Sequence, residues 1–157
     1  MCMRTRVDEN HPGYRALMEL LRTADTLWNA SRVFFERWDL SPSQFNVLNL
    51  LHLNPDGLSQ TDLSRQLIMH RSNLTGLVDR LEQRGLVARR EVAADRRAYS
   101  VVLTAAGAKL LGGILPQYYE DAARVWDHLP ARRAAALIDD LQKAAHNAQE
   151  IASDLPH

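Results

Sequence analysis

Two short helical patterns, a glycine stop and a pair of β-rich runs, set between long amphipathic stretches, predict a mainly α fold with a small β-wing. Between residues 59 and 104 these signals come in the order of a winged helix-turn-helix, so the chain reads as one winged domain flanked by long N- and C-terminal helices.

The first long helix is predicted over 11–39. There Tyr14, Leu17, Leu20, Leu21, Ala24, Leu27, Trp28, Phe34, Phe35 and Trp38 recur at helical spacing. Ser41, Pro42 and Gln44 start a second helix, with proline at the first helical position and Gln44 placed for a capping box. Phe45, Leu48 and Leu51 form its inner face, and Asn54, Pro55, Asp56 and Gly57 end it. Ser59, three residues before Asp62, announces a short helix in which hydroxyl and carboxylate satisfy first-turn amides; Leu63 and Leu67 share one face.

A break at Ile68, Met69 and His70 leads to another helix, with Leu74, Leu77, Val78 and Leu81 as its buried stripe. The opposite stripe carries Arg71, Ser72, Asn73, Thr75 and Gly76 near the front, and Arg80 and Arg84 further along. Short polar groups at the front of a helix reach base edges in a major groove, and glycine allows close backbone approach. Gly85 is placed as a left-handed cap. Leu86–Val92 and Ala98–Leu103 read as strands, separated by a polar five-residue connection containing Asp95, Arg96 and Arg97. That hairpin puts a basic tip where it can lie along phosphates or enter a minor groove.

Thr104 caps a long segment running towards His128, interrupted at Gly112, Gly113 and Pro116, where a bend is expected. Pro130 opens the last helix, with Ala134, Leu137, Ile138, Leu141, Ala145 and Ala148 on its apolar side.

Charge distribution says more than charge total. The chain is neutral, with 19 basic and 19 acidic residues, yet between Arg65 and Arg97 eight arginines face four acids. That surplus of four leaves minus four for the remainder. All eight are arginine, which suits bidentate contact to phosphate or guanine. An isolated run of this kind would be solvated surface; coincidence with the helix-turn-helix pattern favours a nucleic-acid face.

The residues Leu77, Val78, Asp79, Arg80, Leu81 and Glu82, then Arg84, Gly85, Leu86 and Val87, then Asp95, Arg96, Arg97, Leu103, Thr104 and Gly107 resemble the MarR family of bacterial regulators. The resemblance covers roughly the whole length, with its specific part in the centre. It implies an obligate homodimer on a pseudo-palindromic operator in double-stranded DNA, usually a repressor, released by a small molecule, often a phenolic or other aromatic anion. By matching position, Ser72, Asn73, Thr75 and Gly76 belong to the recognition helix, Arg96 and Arg97 to the wing, and Asp95 to the bracing of an arginine. The DNA-binding set expected is Arg65, His70, Arg71, Ser72, Asn73, Thr75, Gly76, Arg80, Arg96 and Arg97.

The 157 residues, 46% apolar and 24% charged, suit a single MarR-like domain over 1–157. Its DNA-binding part is expected at 41–104 and its helical dimerisation part at 11–39 and 105–153. Three long helices carry more apolar surface than a small winged domain needs, and a second copy covers it most simply; a monomeric bundle is the alternative. No apolar run approaches a membrane span and no signal sequence opens the chain, so a cytoplasmic protein without a membrane partner is expected. The single cysteine, Cys2, reads as a passive thiol.

An effector site is the least specific reading. Trp28, Arg32, Phe35, Trp38 and His52 offer aromatic walls and cationic anchors near the junction of the first two helices, with Tyr118 or Tyr119 able to approach, although aromatics at this spacing also build cores. The six histidines, at 11, 52, 70, 128, 146 and 157, have no zinc-site spacing, so neither metal nor cofactor is expected. His70 reads as a helix-entry residue near phosphate. No nucleophile elbow or phosphate-cradling glycine loop points to an enzyme. A winged helix that binds another protein is the remaining alternative, and it predicts an acidic or apolar recognition helix.

Overall fold

The computed structural model describes residues 10–67, 74–92 and 95–154. Its elements are α1 (Pro12–Glu36), α2 (Pro42–Leu53), β1 (Leu58–Ser59), α3 (Gln60–Gln66), α4 (Leu74–Gln83), β2 (Val87–Val92), β3 (Asp95–Leu103), α5 (Ala105–Val125) and α6 (Ala131–Ser153). This is the mainly α chain with a small β-wing that the sequence predicts.

The chain divides into two compact units, the first reaching Gly112 and the second running from Gly113. In the first unit, α2 is the central helix, packing on α1, α3, α4 and β3. Phe45, Leu48 and Leu51 are buried as its spacing predicts, together with Val47. Around them Phe35, Leu63, Val78, Leu81, Val87 and Val101 are buried to 2% exposure or less, which makes one contiguous hydrophobic core for the helices and the sheet.

The ends of these helices follow from local chemistry. The Ser41 hydroxyl accepts from Gln44 N at 3.2 Å while Ser41 N donates to Gln44 Oε1 at 2.8 Å, a complete capping box. The start of α3 differs in one half. Ser59 Oγ accepts from Asp62 N at 3.0 Å, but the Asp62 carboxylate accepts from the Ser59 hydroxyl at 2.5 Å instead of from a backbone amide. Helix α4 closes with Leu86 N donating to Leu81 O and Gly85 N to Glu82 O, with Gly85 at φ +68°. This is the Schellman arrangement that the left-handed glycine permits.

The three strands are antiparallel in the order β1-β3-β2. Strand β1, two residues long, is too short to leave a periodic signal in the sequence; it pairs Leu58 with Val101 and Ser59 with Ser100. Gly57 makes this possible. A Cβ there would stand 2.4 Å from Ser100 Oγ and 2.6 Å from Val101 O, at φ +86°.

The wing corrects the expected five-residue connection. Strand β3 begins at Asp95, which pairs with Val92, so only residues 93 and 94 separate the strands. The register then shifts: Val92 faces Asp95 but Glu91 faces Tyr99, so Arg96, Arg97 and Ala98 occupy a bulge in β3 and not a free loop. Strand pairing continues past the polar residues because backbone hydrogen bonds do not depend on side-chain polarity, and a bulge absorbs the excess length.

Thr104 starts α5 as expected: Gly107 N donates to its Oγ1 at 3.0 Å, and that hydroxyl donates to Gly85 O at 2.7 Å. Helix α5 runs from Ala105 to Val125 through Gly112, Gly113 and Pro116, the place where a bend is expected. The ring of Pro116 crowds the carbonyl four residues back, which belongs to Gly112, and glycine backbone yields at little cost. In the second unit, Pro130 caps α6, and no residue of α6 is buried.

Candidate nucleic-acid interface

Helix α4 is two-faced. Val78 and Leu81 are fully buried, Leu74 and Leu77 partly, while Thr75 and Arg80 are exposed and Gly76 lies between. Arg80 makes no ion pair among the described residues. On α3, exposed Arg65 touches Asp62 at 3.4 Å. Such an exposed pair contributes about 0–1 kcal/mol and leaves the guanidinium available to a stronger anion. His70, Arg71, Ser72 and Asn73 lie outside the described residues.

Two arginines of the basic segment are engaged inside the fold. Arg89 on β2 turns towards α4, where its Nη2 is 2.5 Å from Asp79 Oδ1 and its Nη1 donates to Glu82 Oε2; its backbone N also donates to Glu82 Oε1 at 3.0 Å. The hydrogen bond that Arg89 donates to Asp79 and the charges of both carboxylates raise the Arg89 pKa against the opposing effect of desolvation. Arg84, expected on the free stripe, instead donates to Asp39 O and, at 3.2 Å, to Trp38 O. Counting charge along the chain therefore overstates the free positive surface. A signal was available in sequence: Asp79 and Glu82 stand one helical turn apart, a spacing that offers two acids to one cation.

The next residue, Arg90, is exposed on β2. The backbone of Asp95, Arg96 and Arg97 runs in β3 at the far end of the same hairpin. Thr75 and Arg80 of α4, Arg65 of α3 and the β2–β3 hairpin therefore all belong to the first unit, built on one core.

An open cleft of about 540 Å³ lies where α1 hands over to α2, lined by Arg32, Val33, Glu36, Leu40, Pro42 and Gln44 among others. Of the proposed ligand residues only Arg32 lines it. Phe35 is buried and stacks on Phe45 at 4.2 Å, so its ring is core. Trp38 is tilted against Phe34, while Trp28 and His52 do not line the cleft. Among the described residues there is no cluster of three metal-ligating side chains, and no helix is long and apolar enough to cross a membrane.

Comparison with known proteins adds a family to this geometry. A family model described as MarR family matches residues 38–98. The HTH-type transcriptional regulator YfiV of Bacillus subtilis (strain 168) is 36% identical over 107 residues, which are 68% of this chain and 61% of that protein. The chain spans less than two thirds of the length of the curated relatives it matches. The PcaV transcriptional regulator from Streptomyces coelicolor, solved with its natural ligand, superposes with a TM-score of 0.67 at 26% identity, covering 92% of this chain and 99% of that one. MepR of S. aureus, solved as a DNA complex, gives 0.75 at 21% identity over 90% and 99% of the two chains, a likeness of fold.

Proposed function

As this chain belongs to the MarR family, we propose that it is a sequence-directed DNA-binding transcriptional regulator, a homodimeric repressor on a pseudo-palindromic operator released by a small-molecule ligand, for which an aromatic anion is one candidate class. The observation that carries this reading is the two-faced α4, with Val78 and Leu81 in the core and Thr75 and Arg80 in solvent beside a hairpin that bears Arg90, Arg96 and Arg97. A helix of that polarity fits a major groove, and an arginine-bearing wing fits the flanking backbone or minor groove. Asp79 and Glu82, the two acids of α4, are both engaged by Arg89, so the solvent face carrying Thr75 and Arg80 differs from the acidic or apolar face a protein-binding winged helix needs.

In this reading residues 41–104 read DNA in the cytoplasm, with His70, Arg71, Ser72 and Asn73 at the front of the recognition helix. Residues 11–39 and 105–153 hold the second copy. Support for the second copy comes from large apolar side chains left in solvent on α1 and α6, among them Leu17, Leu21, Ile138 and Ile151. The cleft beside Arg32 supports a small-molecule effector, as does the fold likeness to PcaV, which was solved with its natural ligand; release requires that the ligand bind the non-operator state more tightly.

The test is fluorescence anisotropy with labelled duplexes flanking the protein's own gene, titrated at two salt concentrations against non-specific competitor. Tight, salt-sensitive binding that survives competitor is expected, and Arg97→Ala is expected to reduce the log–log salt slope by about one. Equal weak binding to every duplex would instead favour a protein-interaction module.

A further inference from the structure

We propose that Arg84 is a positioning residue for DNA reading, a latch that sets the tilt of α4 by gripping the carboxyl end of α1. The inference rests on the DNA-binding reading above, and all the residues concerned lie in the first unit.

Both ends of the latch are rigid. Arg84 sits in the Schellman turn that closes α4, so its Cα is held by the bonds from Leu86 N to Leu81 O and from Gly85 N to Glu82 O. Helix α1 ends in the same pattern, with Leu40 N donating to Phe35 O at 3.2 Å, Asp39 N to Glu36 O at 3.0 Å, and Asp39 in the left-handed region at φ +52°. That turn presents the carbonyls of Trp38 and Asp39, which no further helical turn satisfies. The Arg84 fork takes both, Nη1 donating to Asp39 O and Nη2 to Trp38 O at 3.2 Å, with Asp39 Oδ2 3.7 Å away.

A guanidinium is what this place requires. Its two terminal nitrogens reach two carbonyls at once, whereas an ammonium is a single point. It also lies at the carboxyl ends of both helices, where each dipole favours a cation. Arg89 fixes α4 to the wing through Asp79 and Glu82, but Arg84 fixes it to the helix that precedes the winged part. Base readout needs groups held to about half an ångström, so loss of this tie is felt in specificity.

The test uses the full chain and a duplex that the wild-type protein selects from a random-sequence pool, with a scrambled duplex of equal length as the non-specific reference. Arg84→Ala is expected to bind the selected duplex roughly tenfold more weakly. Its affinity for the scrambled duplex and its salt slope should not change, because Arg84 touches no phosphate. Asp39→Gly keeps both carbonyls and relieves the backbone, so it should stay within about twofold of wild type. Arg84→Lys keeps the charge without the fork and should not restore specific binding; it carries the same test if Arg84→Ala does not fold. Full specific affinity in the Arg84 variants overturns the latch. So does a parallel loss on both duplexes with a slope reduced by about one, which would make Arg84 a phosphate contact. A wild-type protein that enriches no duplex overturns the DNA-binding reading itself, and the latch with it.

Discussion

Arg89 Nη2 lies 2.5 Å from Asp79 Oδ1, joining strand β2 to helix α4 across ten residues of sequence. Glu82 accepts from the same guanidinium and from the Arg89 backbone, so one side chain pairs with both acids of α4 and offsets half of their charge.

Removing that brace tests both roles. Arg89→Ala is expected to cost about 1–2 kcal/mol of stability, the low side of a charged hydrogen-bond pair because the site is partly exposed. It should also weaken binding to every duplex, since two unpaired carboxylates would then face phosphate. Urea denaturation gives the first quantity and anisotropy the second; a variant as stable as wild type would leave the brace without energetic weight.

The two left-handed glycines should respond unequally. At Gly57 alanine meets Ser100 Oγ and Val101 O as well as an unfavourable φ, whereas at Gly85 nothing lies within 4 Å of a Cβ. Gly85→Ala should therefore cost about 1–2 kcal/mol, the conformational term alone, and Gly57→Ala clearly more. Thermal unfolding of the two variants decides this, and equal losses would mean that β1 moves aside freely.

The apolar stripe of α1 predicts an assembly. Leu17 and Leu21, one turn apart and 52% and 55% exposed, become glutamates in a double variant that should sediment as a monomer and lose tight operator binding. A dimer that survives these charges would locate the interface on other surfaces, such as α6.

Tyr118 predicts an alkaline transition. Partial burial raises its pKa, and the neighbouring Tyr119 adds to the shift. The unfolded chain ionises near the usual value of about 10, below the folded one. The tyrosine's contribution is thus intact below that pH and is lost as pH rises through the folded value. Stability should fall above pH ~10, and Tyr118→Phe should lessen the fall. Identical alkaline profiles for the two proteins would remove Tyr118 as its source.

Local rules determined much of this protein from sequence alone. The capping box at Ser41 and Gln44, the left-handed cap at Gly85, the Thr104 cap and the buried faces of α2 and α4 each depend on residues within a few positions of one another. Tertiary structure decided what depends on distant partners. Strand β1 exists only because Gly57 lets the chain approach β3, and the wing connection shortened because β3 had a partner to pair with. Phe35 became core by stacking on Phe45, a ring on the next helix. Arg84 and Arg89, indistinguishable by residue type from Arg80, which is unpaired among the described residues, are engaged by carbonyls 45 and 46 residues away and by carboxylates on a neighbouring helix. The sequence could say where the arginines were dense, but only three-dimensional proximity could say which were already engaged, because a polar contact depends on separation in space and not along the chain.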